Sequence, residues 1–261
     1  MKNYFDLKDR VAIVTGASSG LGAHFSKVLA SQGAKLALIA RRLDRLEALK
    51  KEIEEEYQTE VKIYQKNLTD FNKLESLVND IENDFSKIDI LVNNAGMAHV
   101  APALEMKQED WLKMLDTNLS SVFFMSQAVG KRMVKNGYGR IINIASVHSQ
   151  VTMKTEKLSA DQMIAYVTTK HGVRGITISL AAGWAKYGIT VNAIGPGYFE
   201  SEMTSAMLKS ESFKETIHAT CPMDRHGNPK ELDTTLLYLA SENSSYTTGQ
   251  VITVDGGWLT L

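Results

Sequence analysis

Short apolar runs recur along the chain with longer amphipathic stretches between them: VAIVT from position 11, KLALIA from 35, VKIYQ from 61, IDILVN from 88, RIINIA from 140, ITVNAI from 189 and QVITVD from 250. Most are rich in Val and Ile and lack polar alternation, as befits strands covered on both faces. The stretches between them are long enough for crossover helices. The pattern therefore predicts an α/β fold around a doubly wound, seven-stranded parallel sheet. Helix signals agree. Thr69 and Asp70 stand where they would cap the segment that follows, and Asn228, Pro229 and Glu231 supply a cap, a first-turn proline and a capping-box acid. No Pro/Gly/Ser-rich linker, internal repeat or low-complexity tract interrupts the 261 residues, so a single domain over 1–261 is expected.

Composition changes this picture only by exclusion. At 44% hydrophobic and 23% charged, the chain has ordinary globular content for one large core. Its 29 Lys and Arg against 30 Asp and Glu give a formal charge of -1, so neither nucleic acid nor an anionic membrane surface is expected as a partner. The single cysteine, Cys221, fits a reducing compartment and reads as a small buried hydrophobe. The opening MKNYFDLKDR carries charges where a signal peptide needs apolar residues, and no apolar run approaches the roughly 18 residues of a membrane span. A cytoplasmic location is expected, and no metal.

Candidate chemistry begins where the first strand runs into Thr15-Gly16-Ala17-Ser18-Ser19-Gly20-Leu21-Gly22, ahead of an amphipathic segment carrying Phe25, Val28 and Leu29. Glycines permit positive φ and let backbone amides approach a pyrophosphate, and the following helix N-terminus adds partial positive charge. An ordinary turn could have the same three glycines. The spacing differs from G-x-G-x-x-G, with three residues between Gly16 and Gly20 and one between Gly20 and Gly22. The second strand ends without the acid that would hold the ribose hydroxyls of NAD, and Arg41 and Arg42 follow. A guanidinium fork suits a 2′-phosphate, so NADP(H) is the preferred cofactor, with NAD(H) possible and Arg41 the favoured contact. Arg42 is divided between that role and the start of a solvated helix face continuing through Arg45, Lys50 and Glu54.

Tyr166 and Lys170 stand four positions apart, which on a helix places both side chains on one face. An unperturbed tyrosine, with a pKa of about 10, is a poor base at neutral pH, so a neighbouring ammonium is what would lower it. Taken together, T-G-x-x-x-G-x-G at the first strand, Asn93-Asn94-Ala95-Gly96 after the fourth, Ser146 after the fifth and Tyr166-x-x-x-Lys170 beyond it resemble the short-chain dehydrogenase/reductase family. Pro196-Gly197 and Val254-Asp255-Gly256-Gly257 are similar too, each in its expected order, so the resemblance spans nearly the whole chain.

That resemblance implies a Rossmann-like fold and an NAD(P)-dependent oxidoreductase interconverting a secondary alcohol and a ketone. Tyr166 would exchange a proton with the substrate oxygen and Ser146 would orient it. Lys170 would act on Tyr166 and hold the nicotinamide ribose, while Asn118, which could also simply bend or cap its helix, would fix a water linking Lys170 to solvent. Ser18, Ser19 and Leu21 belong to the phosphate loop. Asn93, Asn94, Ala95 and Gly96 would pack beside the adenosine half of the cofactor, or form only a tight turn. Asn67, beside Leu68, stands where the family has an Asp accepting from adenine. Pro196 and Gly197 would line the nicotinamide pocket, with Ser201 replacing a Thr that bonds the carboxamide. A homodimer or homotetramer is implied, through helices around 107–135 and 163–185.

Substrate information should lie in 147–165 and 198–220, read as loops that overhang the pocket. Tyr166 comes 20 positions after Ser146, several more than in the commonest family members, and Val151–Lys157 is polar and poorly periodic, as an inserted loop would be. Ser146, His148, Tyr198 and Met203 are the candidate substrate contacts, with Gln150 a further donor; His148 could equally be a solvated loop residue. Met97, Met153, Met163, Met203 and Met207 could wall the pocket or fill core gaps. The run from Trp184 to Thr204 resembles members labelled gluconate 5-dehydrogenases and related polyol enzymes, so a polyol or sugar acid is the expected substrate. A hydroxysteroid or other bulky ketone is the rival, favoured by the methionines and the long loop. An acyl-carrier-protein substrate is disfavoured, because Met97-Ala98-His99-Val100 lacks the arginine such reductases usually carry there. A non-catalytic NADP(H)-sensing protein would have no need of the complete Asn118, Ser146, Tyr166 and Lys170 set.

Overall fold

The computed structural model describes residues 3–153 and 159–260. Its strands are β1 (Val11–Thr15), β2 (Lys35–Ala40), β3 (Val61–Gln65), β4 (Ile90–Asn93), β5 (Gly139–Ile144), β6 (Ile189–Pro196) and β7 (Val251–Val254). Between them run α1 (Gly20–Ser31), α2 (Leu43–Tyr57), α3 (Leu74–Phe85), α4 (Gln108–Leu115), α5 (Ser121–Asn136), α6 (Ile164–Trp184), α7 (Ser205–Leu208), α8 (Glu211–Thr220) and α9 (Asp233–Ala240). All seven strands are parallel, in the order β3-β2-β1-β4-β5-β6-β7. The expected doubly wound α/β fold is therefore present as one domain.

The apolar runs without alternation have their reason in the two helical layers. Along β1, Ala12 and Val14 face a core shared with Phe25 and Leu29 of α1 and Leu236 of α9. Val11 and Ile13 face the other way, onto Leu77 and Ile81 of α3 and Val129 of α5. Each fully buried Leu or Ile contributes about 1.5–3 kcal/mol, so a strand buried on both sides stabilises both layers at once. The order of strands reverses between β1 and β4, and the crevice at their carboxyl ends is where a sheet of this kind takes its ligand.

Boundaries shift where pairing demands it. β6 runs past the expected Ile194 because Gly195 and Pro196 still pair with Thr253 and Val254. At Asn228 the capping box forms, its Oδ1 accepting from Lys230 N at 3.0 Å and Glu231 Oε2 accepting from Asn228 N at 2.8 Å. The cap expected at Thr69 and Asp70 does not. Asp70 instead accepts from Lys73 Nζ at 3.2 Å, and a short 3₁₀ turn, Phe71–Lys73, precedes the start of α3. The segment 198–220 is largely helical, since Phe213 and Ile217, four apart, bury α8 against Met153 and Leu208. Of the expected inserted loop, Lys154, Thr155, Glu156 and Lys157 lie outside the described residues. Among the described residues no helix is long and apolar enough to cross a membrane.

Candidate active site

The crevice is built from the loop after β1 upward. Thr15 Oγ1 accepts from the backbone N–H of both Asn94 and Ala95, at 3.0 Å each, and Asn94 Nδ2 donates to Thr15 O at 3.0 Å. These bonds hold the ends of β1 and β4 so close that a Cβ on Gly16 would stand 2.8 Å from Ala95 Cα. Gly16 and Gly20 both have positive φ, at 66° and 53°. α1 begins at Gly20 and directs its free N–H groups toward the crevice. Gly22 lies behind the loop, where a Cβ would be 2.4 Å from Asn94 Nδ2.

The resulting cleft encloses about 550 Å³. Gly16, Ser18, Ser19, Gly20 and Leu21 form one wall, and Arg41, Arg42, Asn67 and Leu68 one end. Asn94, Ala95 and Gly96, which follow the central strand β4, line the middle of the cleft, and Ser146, Tyr166, Lys170, Pro196 and Gly197 the other end. Ser201 and Met203, on the segment after β6, line it as well. A long cleft with an amide-rich turn at its middle and a guanidinium at one end fits a dinucleotide carrying an extra phosphate.

Asn93 departs from expectation. It is buried, and its Nδ2 donates to Ser126 Oγ at 3.0 Å and Asn143 Oδ1 at 2.9 Å, so it ties β4 to α5 and β5 and does not face the cleft. Arg41 and Arg42 both line the cleft but differ in their partners. Arg41 is exposed and its carbonyl accepts from Gln65 Nε2, whereas Arg42 turns into the loop and donates from Nε to Ser18 Oγ at 3.2 Å and from Nη2 to Ser19 Oγ. Sequence reasoning missed the partner of Arg42 altogether. Glu202 accepts from Arg42 and from Arg45 at 3.1–3.2 Å, and the Arg42 hydrogen bond holds its carboxyl down at about 2.

At the far end, α6 places Tyr166 and Lys170 one turn apart beneath the end of β5. Lys170 is buried and donates from Nζ to Ile144 O at 2.7 Å, with Nζ 5.6 Å from the centre of the Tyr166 ring. Burial lowers its pKa to about 8. Burial pushes the Tyr166 phenol up, and the influence opposing it is a hydrogen bond with the Ser146 side chain. The expected acidification of Tyr166 by Lys170 is thus not what the chain alone displays; the phenol is a neutral proton donor at physiological pH.

Asn118 sits in a π-helical turn, Asp116–Ser120, between α4 and α5. Its Oδ1 accepts from Met97 N and its Nδ2 donates to Met97 O, both at 2.8 Å, which pins the chain after β4. His148 is only 3% exposed and so is not a solvated loop residue. Its Nδ1 faces Val151 O at 3.2 Å. A carbonyl only accepts, so Nδ1 carries the proton and Nε2 accepts from Tyr198 OH at 2.9 Å. Burial also lowers the pKa of His148, keeping the ring neutral. His148 and Tyr198 therefore stand one layer behind the cleft, the His148 ring edge-on to Tyr166 with centroids 6.0 Å apart. Of the methionines, Met97 and Met203 line the cleft, whereas Met153, Met163 and Met207 pack around Phe213 and Ile217.

A doubly wound sheet whose crevice joins a glycine turn to a Ser-Tyr-Lys group is the architecture of a nicotinamide-dependent oxidoreductase. A family profile described as "Enoyl-(Acyl carrier protein) reductase" matches residues 16–259, and the chain belongs to the short-chain dehydrogenase/reductase family, acting on CH–OH groups. It is 36% identical to the gluconate 5-dehydrogenase of Gluconobacter oxydans, over 97% of this chain and 96% of that one. A 3-oxoacyl-acyl-carrier-protein reductase of Thermotoga maritima is also 36% identical, over 96% of this chain and 98% of the relative. Among solved structures, a gluconate 5-dehydrogenase of Burkholderia cenocepacia in complex with NADP and tartrate superposes with a TM-score of 0.91 at 32% identity, covering 99% of this chain and 98% of that one.

Proposed function

We propose that the chain interconverts a secondary alcohol and a ketone on a polyol or sugar acid, with NADP(H) preferred over NAD(H). The observation that carries this is that one continuous cleft has Ser146, Tyr166 and Lys170 at one end and Arg42, Ser18 and Ser19 at the other. A bound nicotinamide supplies the hydride in reduction and takes it in oxidation. Tyr166 gives its phenolic proton to the carbonyl oxygen as the carbon is reduced, and recovers it from the hydroxyl in oxidation. Ser146 donates to the same oxygen and fixes its approach. Lys170, with N–H donors beyond the one given to Ile144, holds the nicotinamide ribose. Asn118 pins Met97 beside the nicotinamide end and anchors the water through which Lys170 meets solvent. Ser201 bonds the carboxamide, and Met203 and the segments 147–165 and 198–220 cover the substrate.

His148 and Tyr198 act from behind Tyr166, and their neutral pair shapes the substrate end. The bulky-ketone alternative loses support because three of the five methionines pack into a core and leave Met97 and Met203 at the cleft. Equal identity to a sugar-acid enzyme and to an acyl-carrier reductase means that overall likeness does not select the substrate. The test is absorbance at the reduced-nicotinamide band over polyols, sugar acids, hydroxysteroids and 3-oxoacyl thioesters, with NADP(H) and NAD(H) in parallel. Turnover of a sugar acid that drops by about 10²–10⁴ in Tyr166→Phe is expected. Turnover surviving that change would reject the assignment of Tyr166, and binding without turnover of any substrate would favour a cofactor-sensing protein. A cytoplasmic location belongs to the same proposal, and buried, unpaired Cys221 is consistent with it.

A further inference from the structure

Glu202 and Arg42 lie 160 positions apart, one on the segment after β6 and the other at the start of α2, and they meet across the mouth of the cleft. Arg42 Nη1 donates to both carboxylate oxygens at 3.2 Å, and Arg45, three residues further on, donates to them at 3.1 and 3.2 Å. Arg42 Nη2 also donates to Glu202 Oε2 at 3.2 Å and to Ser19 Oγ, and Nε donates to Ser18 Oγ at 3.2 Å, both serines lying on the loop after β1. One anion, held by two guanidiniums beside two hydroxyls, therefore occupies the end of the cleft at which the 2′-phosphate would be read. From this geometry we infer that Glu202 is an intramolecular substitute for the 2′-phosphate, and that it sets the preference between NADP(H) and NAD(H) by competing for Arg42.

The inference rests on the proposal that Arg42 receives that phosphate. A guanidinium fork presents one edge to one oxyanion at a time, and a phosphate monoester bearing nearly two negative charges repels a carboxylate placed on the same fork. NADP(H) must therefore displace Glu202, whereas NAD(H), with a hydroxyl at that place, leaves the Glu202–Arg42 pair closed across the mouth. Glu202 is half exposed, its side chain at 52%, so the competition is modest. Its removal is expected to change affinity by about three- to tenfold, the range of a small network of exposed ion pairs.

The experiment is isothermal titration of the full chain with NADPH and with NADH, in the wild type, Glu202→Gln, Arg42→Ala and the double variant. Glu202→Gln should tighten NADPH by about three- to tenfold, leave NADH within about twofold, and lose its effect on NADPH once Arg42 is Ala. NADPH binding that is unchanged or weaker in Glu202→Gln, or NADPH and NADH tightening alike, would overturn the inference. Arg42→Ala separates this from the underlying proposal. If it weakens NADPH more than NADH, the 2′-phosphate assignment stands whatever Glu202 does; if it weakens both alike, that assignment fails first.

Discussion

Lys170 carries a cost that its position makes measurable. Its ammonium is buried, hydrogen-bonded to Ile144 O, and its pKa lies at about 8 instead of the usual value near 10.5. Between those two values the unfolded chain binds the proton more tightly than the folded one, so stability rises with pH across that window. The penalty is fully present below about pH 8 and fades as the pH approaches 10.5. Urea unfolding of the wild type and of Lys170→Met at pH 7.5 and 9.5 isolates the effect. The wild type should gain on the order of 2 kcal/mol relative to the variant between those pH values. A difference independent of pH would mean that Lys170 is not held as a buried cation. Such a cost fits a group retained for chemistry, and the same burial keeps Tyr166 protonated and ready to donate. The Tyr166 and Lys170 relation was legible in the sequence because a four-residue spacing on a helix is local. That between Arg42 and Glu202 was not, because no local pattern joins residues 160 positions apart.

Strands were the most legible elements, since burial on both faces writes itself as unbroken Val and Ile, and β2 and β3 begin and end where their apolar runs do. Segments whose order comes from tertiary partners were harder. α8 reads as loop in sequence, yet Phe213 and Ile217 give it a buried stripe once Met153 and Leu208 are present. Asn93 reads as part of a ligand turn, yet it sits on the last position of β4 with its amide turned into a buried network through Asn143 to Thr177. The glycine turn was legible in kind, but the reason for its third glycine is structural. Gly22 has ordinary helical φ and is excluded from substitution by contact alone, because a Cβ would lie 2.4 Å from both Asn94 Nδ2 and Gly16 O. Gly22→Ala must push Asn94 off Thr15 and so open the β1 and β4 loops together. The expected outcome is cofactor affinity weakened by at least about tenfold with stability lowered by about 1–3 kcal/mol, the range for overpacking a closed site. Titration with NADPH alongside thermal unfolding checks it, and unchanged affinity would show that the Asn94 clasp does not shape the phosphate turn.

The described surface is not uniformly polar. Leu112 of α4, Phe123 of α5 and Ile164 and Ile178 of α6 are 36–46% exposed, on helices that pack side by side. Ile164 and Ile178 are 14 residues apart, close to four full turns, so they mark one face of α6. At the edge of the sheet next to β6, every residue of β7 is only partly buried, and Tyr238 and Tyr246 stand exposed. Scattered apolar residues are normal on a monomer, but a shared face on adjacent long helices is what a second copy of the chain would cover. The homo-oligomer proposed from the family resemblance would use this face first, and a tetramer would add the β7 edge. A glutamate at an exposed monomer site costs little, within about 0.5 kcal/mol, whereas one buried in an apolar interface loses its hydration without gaining a partner. Phe123→Glu combined with Ile178→Glu should therefore leave the circular dichroism spectrum and NADPH binding intact while halving the mass measured by light scattering after size exclusion. A wild type that elutes as a monomer at micromolar concentration, or a double variant that keeps the parent mass, would place the interface elsewhere or remove it.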